Sequence, residues 1–181
     1  MRVDRIVNPE KVRWELPPSK SHMIRWLVLA ARSKGLTDLH FEGSVGEDIC
    51  SMGRCLEQMG VKIEKGDQRW RVTGAESGFS APGTINCGNS GTVARMMMVV
   101  CAGFEFPTFI DGDQSLRSRS FSSLTSLLKG LGCVVDSSHL PLSVTGPMKY
   151  RTSSLDQSNS SQPLTSMIIG SSDFPEELEI E

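Results

Sequence analysis

Internal repetition at a spacing of about 70 residues limits the fold of this chain more than any other feature, because copies of one pattern fold as copies of one supersecondary unit. Residues 47–60 are EDICSMGRCLEQMG and residues 119–132 are RSFSSLTSLLKGLG. Ile49, Met52, Leu56 and Met59 in the first segment, and Phe121, Leu124, Leu128 and Leu131 in the second, fall on one face of a helix. Each segment ends in glycine, Gly60 or Gly132, where a left-handed cap is expected, and then enters a β-branched run. A polar hairpin follows in both. The two copies close on the same tripeptide, Val72-Thr73-Gly74 and Val144-Thr145-Gly146.

A second set of equivalents precedes these. Ser19-Lys20-Ser21 opens one apolar helix and Ser90-Gly91-Thr92 opens another, each with an arginine one turn inside, Arg25 or Arg95. A third start, Ser158 to Ser166, precedes the apolar stretch Met167–Ile169. The pattern predicts an α/β fold of repeated βαβαββ units, with strands near residues 12–16, 36–41, 61–65, 69–73, 83–87, 107–111, 133–136 and 141–145. The third unit is incomplete, because only its first helix and the start of a strand at Glu177–Glu181 are present. A chain that stops there is expected to be a fragment.

Composition then excludes several classes of function. The chain has 181 residues, enough for one domain or one and a fraction, with a formal net charge of −2. That balance argues against a nucleic-acid partner held by bulk electrostatics. No apolar run is long enough for a membrane span, and the charged start MRVDRIVNPEKVRW does not look like a signal peptide, so a cytoplasmic location is expected. The five cysteines show no CxxC, and no nearby histidine pair completes a metal site, so reduced buried thiols are expected and a metal is not. Neither GxGxxG, GxxxxGK[ST] nor GxSxG occurs.

What remains is chemistry at helix starts. An N-terminus offers unpaired N–H groups and partial positive charge, so Ser- and Gly-rich starts followed by Lys or Arg suit anions. Any one of these starts is explained by ordinary capping through Ser19, Ser90 or Ser160. Their combination, with Arg117 and Arg119 added from the loop Asp111 to Arg119, points to a site for phosphorylated or carboxylated small molecules. For Arg117 alone the simpler expectation is a solvated ion pair with Asp113. No spacing singles out Asp48, Asp111 or Asp113 as a general base.

Four motifs, Pro18-Ser19-Lys20-Ser21 with Arg25, Gly88-Asn89-Ser90-Gly91-Thr92 with Arg95, Gly112-Asp113 through Arg119, and Ser160-Ser161-Gln162, resemble the EPSP synthase (3-phosphoshikimate 1-carboxyvinyltransferase) family in order and spacing over about residues 12–170. The resemblance implies a fold of two domains, each of three βαβαββ units, with the site between them. It implies transfer of the enolpyruvyl group of phosphoenolpyruvate to the 5-hydroxyl of shikimate 3-phosphate, with release of phosphate and no cofactor, in aromatic amino acid biosynthesis. By the same resemblance Lys20 touches both substrates and takes part in proton transfer, while Ser21 and Arg25 hold shikimate 3-phosphate. Gly91 and Arg119 bind phosphoenolpyruvate, Ser160 and Ser161 complete the shikimate-phosphate pocket, and Gln162 reaches both ligands. Residues 1–16 are then a strand segment packing with a second domain, and 17–181 an incomplete N-terminal domain. That second domain holds the general base, and the chain is expected to be inactive alone. The sequence departs from the family's usual pattern at Trp26, Met96, Ser120 and Pro163. The alternatives are a non-catalytic anion-binding half-module and UDP-N-acetylglucosamine enolpyruvyl transferase, the latter disfavoured by Ser21 after Lys20 and by the lack of cysteine in residues 111–119.

Overall fold

A computed structural model describes residues 16–149, 152–155, 160–172, 174 and 178–180. In chain order the elements are α1 (Lys20–Arg32), β1 (Leu36–His40), α2 (Glu47–Gln58), β2 (Lys62–Lys65), β3 (Arg69–Thr73), β4 (Thr84–Asn86), α3 (Gly91–Cys101) and β5 (Thr108–Asp111). Then follow α4 (Gln114–Arg117), α5 (Ser122–Gly130), β6 (Val134–Val135), β7 (Leu142–Thr145), β8 (Thr152–Ser153), α6 (Gln162–Gly170) and β9 (Glu179–Ile180).

The repeat survives into hydrogen-bond register. In the sheet β1-β3-β2, Lys62 faces Thr73 and Ile63 faces Val72; in the sheet β4-β5-β7-β6, Val134 faces Thr145 and Val135 faces Val144. All four pairs are antiparallel and related by the same sequence offset. Gly60 and Gly132 end the two outer helices with φ of 88° and 89°, the left-handed geometry that only glycine takes cheaply, and so turn the chain into equivalent strands. β4-α3-β5 is a parallel β-α-β crossover, and β8-α6-β9 is another. The strand expected at 12–16 lies, Leu16 apart, outside the described residues, as do the segment before it, Ser158, Asn159, Glu177 and Glu181.

Gly74 and Gly146, which close the two Val-Thr-Gly tripeptides, hold each hairpin to its helix. A Cβ on Gly74 would stand 1.7 Å from the carbonyl oxygen of Ser33, the C-cap of α1. A Cβ on Gly146 would stand 2.0 Å from that of Ala102, the C-cap of α3. The backbone contacts that demand this approach are themselves repeated. Gly74 N donates to Gly35 O at 2.9 Å, and Gly146 N donates to Phe104 O at 2.7 Å, in each case two residues past the helix C-cap.

Helices α1, α3 and α6 pack against one another. Arg32, Val100 and Gly170, from their C-terminal ends, line one cavity, whereas Lys20, Gly91 and Gln162, from their N-terminal ends, line another. The three helices therefore run in the same direction. α3 is the central one, with Met96 through Cys101 fully buried on every side, as its uniformly apolar sequence requires. It approaches α6 closely where Gly170 meets Val99. Cys55, Cys87, Cys101 and Cys133 are buried free thiols and Cys50 is half-buried. Burial holds Cys101 protonated, with its pKa pushed up to about 12.

One helix boundary and one ion pair differ from the sequence expectation. The helix expected at 119–132 begins only at Ser122, after the separate turn α4 and a break at Ser118–Phe121. Asp113 takes the N-cap of α4, its carboxylate accepting from Leu116 N at 2.7 Å. It is consequently not the partner of Arg117. That guanidinium pairs in a two-bond fork with Asp111, at 2.8 and 2.6 Å, and holds the Asp111 carboxyl below the usual carboxylate range.

Candidate functional site

Each of the three parallel helices is approached through serine, and Ser19 and Ser90 do the capping that their type predicts, whereas Ser160 does not cap α6. Ser19 Oγ accepts from His22 N at 3.5 Å and Ser90 Oγ from Val93 N at 3.4 Å; the N-cap of α6 is Ser161, whose side chain makes no cap bond, while Ser160 Oγ closes a short turn before it by accepting from Gln162 N at 3.1 Å. Capping and ligand binding are not exclusive, because one serine leaves other donors of the first turn unpaired. Three helix dipoles with the same sense then place partial positive charge around one opening.

That opening is a cavity of about 460 Å³ lined by Lys20, Asp48, Asn89, Gly91, Thr92, Arg95, Arg119, Ser160 and Gln162. Of the residues expected from sequence, Lys20, Gly91, Arg119, Ser160 and Gln162 meet there. Ser21, Arg25 and Ser161 do not line it. Arg25 turns back along α1 onto Ser21, donating to its carbonyl oxygen at 2.6 Å and to its hydroxyl.

Positive charge in the cavity is only partly balanced. Lys20 pairs with Asp48 of α2 at 2.9 Å, a contact between partly exposed groups. Arg119 donates to Asn89 Oδ1, and Arg95 Nη1 donates to Gly91 O at 3.0 Å and to Gln162 Oε1 at 3.1 Å. These acceptors are neutral. Among the described residues neither Arg95 nor Arg119 has a carboxylate partner. Burial and the neighbouring Arg119 charge lower the pKa of Arg95. Both guanidiniums crowd the start of α3, where a Cβ on Gly91 would lie 2.9 Å from Arg95 Nη1 and 3.5 Å from Arg119 Nη1. Two cations side by side, aimed where helix N-termini converge, form a site for an anion.

Asp48, Asn89 and Thr92 are lining residues that sequence reasoning did not assign to the site. Asn89 and Thr92 stand within a motif already singled out, and motif membership was the signal available. For Asp48 there was none, since its tie to Lys20 crosses between helices 28 positions apart, whose packing no local spacing encodes. Among the described residues no group of three His, Cys, Asp or Glu is gathered as for a metal ion, and no helix is long and apolar enough to cross a membrane.

The EPSP synthase (3-phosphoshikimate 1-carboxyvinyltransferase) family profile matches residues 8–181. The 3-phosphoshikimate 1-carboxyvinyltransferase of Methanothermobacter thermautotrophicus is 32% identical over 158 residues, covering 84% of this chain and 37% of the relative. That of Thermococcus kodakarensis is 34% identical over 167 residues, covering 91% of this chain and 40% of the relative. Among solved structures, the EPSP synthase of Acinetobacter baumannii superposes with a TM-score of 0.78 at 25% identity, over 87% of this chain and 37% of that one. The enolpyruvyl transferase NikO of Streptomyces tendae superposes with a TM-score of 0.61 at 16% identity, over 86% of this chain and 36% of that one, which bears on the fold alone. The chain thus spans 37% to 40% of the length of these two curated relatives. With the α/β fold of the enolpyruvyl transferases and a family match over nearly its whole length, this chain belongs to the EPSP synthase family.

Proposed function

We propose that this chain forms one wall of an active site that moves the enolpyruvyl group of phosphoenolpyruvate to the 5-hydroxyl of shikimate 3-phosphate, releasing phosphate in the cytoplasm. The observation that carries the reading is the convergence of Lys20, Arg95 and Arg119 with three helix N-termini on one cavity. Two polyanionic substrates held side by side repel, and fixed cations with aligned dipoles offset that repulsion without reorganising. In this reading Lys20 reaches both substrates and takes part in proton transfer. Gly91 and Arg119 receive phosphoenolpyruvate, and Gln162 reaches both ligands. Ser160 and Ser161 receive shikimate 3-phosphate, together with the Ser21–Arg25 pair one turn along α1. The same groups stabilise the extra charge of the tetrahedral intermediate formed by addition and lost by elimination. A second domain supplies the general base and the opposite wall, so turnover requires it.

Calorimetry on the folded chain tests the reading. Weak, saturable binding of shikimate 3-phosphate and almost none of phosphoenolpyruvate are expected. A folded sample with no affinity for shikimate 3-phosphate would count decisively against it. Gly91→Ala gives a second test, in a chimera joining this chain to the remaining portion of the M. thermautotrophicus relative. The added methyl displaces the Arg95 guanidinium end and fills the space beside that of Arg119, so the KM for phosphoenolpyruvate should rise about tenfold or more and exceed any rise for shikimate 3-phosphate. Equal rises for the two substrates would contradict the assignment of Gly91.

A further inference from the structure

Arg95 stands between two cavities. One is the cavity of Lys20 and Arg119; the other, of about 510 Å³, is lined by Ser120, Phe121, Ser122, Ser126 and Ser154 among others. Arg95 and Ser160 line both. The guanidinium therefore has somewhere else to go. It also has a reason to leave, because Arg119 repels it and neither of its hydrogen-bond acceptors is charged. A long flexible side chain in that position would sample the hydroxyl-lined cavity as well as the anion cavity unless something else held it.

Phe121 is placed to do so. Arg95 Cζ lies over the Phe121 ring, 4.9 Å from its centroid. The ring is itself buried. Phe121 is 2% exposed, and its backbone N donates to Ser138 O at 2.8 Å, fixing it at the N-cap of α5. An aromatic face attracts a cation and asks for no proton or lone pair in exchange, so the guanidinium keeps its N–H groups for Gly91, Gln162 and an incoming anion.

We infer that Phe121 is a positioning residue, whose ring, itself in the wall of the serine-lined cavity, pins the Arg95 guanidinium at the boundary of the two cavities, where it bonds Gly91 and Gln162 at the edge of the anion cavity. The inference rests on the reading of the Lys20–Arg119 cavity as an anion site. It adds that the affinity of that site depends on the electron density of a ring that never touches the ligand. Leucine at 121 preserves apolar bulk and removes the ring quadrupole, leaving Arg95 divided between the two cavities. Tyrosine or tryptophan restores a face for it.

The experiment uses the 181-residue chain, with inorganic phosphate as the probe, and follows the arginine side-chain Nε–H signals by NMR. In the wild-type chain the Arg95 signal should carry an upfield ring-current shift, and both Arg95 and Arg119 should respond to phosphate. Phe121→Leu should abolish the ring-current shift and weaken phosphate binding by about threefold to tenfold, with recovery in Phe121→Trp. Stepwise fluorination of the ring at position 121 keeps its shape while draining its quadrupole, and should weaken binding in graded fashion even if the leucine variant fails to fold. Phosphate affinity that ignores fluorination, or an Arg95 signal without a ring-current shift, would overturn the inference. If the wild-type chain shows no phosphate response at either arginine, the anion reading fails, and the ring-current shift alone decides the clamp.

Discussion

Replacing Gly74 or Gly146 with alanine should cost the folded chain about 3 kcal/mol or more in each case, the largest stability effect expected of any single methyl in the molecule. The methyl would stand 1.7 or 2.0 Å from a backbone carbonyl oxygen, and a helix C-cap cannot step aside as a side-chain tip can. To admit it, the strand must lift from the helix, and the repeated bonds from Gly74 N to Gly35 O or from Gly146 N to Phe104 O must stretch or break. Urea denaturation followed by circular dichroism measures the loss. Because Gly74 and Gly146 serve different helices, the double variant should be additive to within about 0.5 kcal/mol, if the chain still folds. A loss under about 1 kcal/mol in either single variant would show that the strand-to-helix contact is adjustable, and the shared tripeptide would need another explanation.

Replacing Lys20 with methionine should lower kcat by about a thousandfold in the chimera described above, with the fold intact. Lys20 heads α1 at the cavity, 2.9 Å from Asp48, with 60% of its side chain exposed to whatever enters. Methionine keeps much of the stem and removes both the charge and the transferable proton. General acid–base catalysis and transition-state electrostatics each contribute about a hundredfold or more, which makes the combined loss large. Steady-state kinetics with both substrates varied separates a loss in kcat from a loss in binding. A kcat within tenfold of the wild type would remove Lys20 from the chemistry and leave it a binding role at most.

The repeat was legible because it is written in local patterns. Helical spacing at Ile49, Met52, Leu56 and Met59, the cap at Gly60 and the ending Val72-Thr73-Gly74 each follow from short-range sterics, and their second copies carry the same residue types. The same holds for the capping serines at 19 and 90, whose hydroxyls accept from the first turns of two helices, whereas the cap expected from Ser160 falls to Ser161, which makes no side-chain bond there. The break before α5 was not legible. The apolar face from Phe121 to Leu131 is helical in spacing, but α4 intervenes, and the competing N-cap at Asp113 shows only in its bond to Leu116. Arg117 was assigned the wrong carboxylate for a related reason. Asp111 and Asp113 are equally near in sequence, and capping had already committed one of them.

Sequence alone determined that three helices begin with hydroxyls, glycines and cations, and that two of them belong to copies of one unit, because capping and periodicity act over a single turn. Only the tertiary structure decided that those helices run the same way. Their packing brings Lys20, Gly91, Arg119 and Gln162 to one opening, leaves Arg25 folded onto Ser21, ties Lys20 to Asp48 and lays Arg95 over Phe121. Electrostatic attraction and ring contacts depend on separation in space, which chains of the same local pattern can arrange in many ways. Close approach of backbones at Gly74 and Gly146 selects one of them.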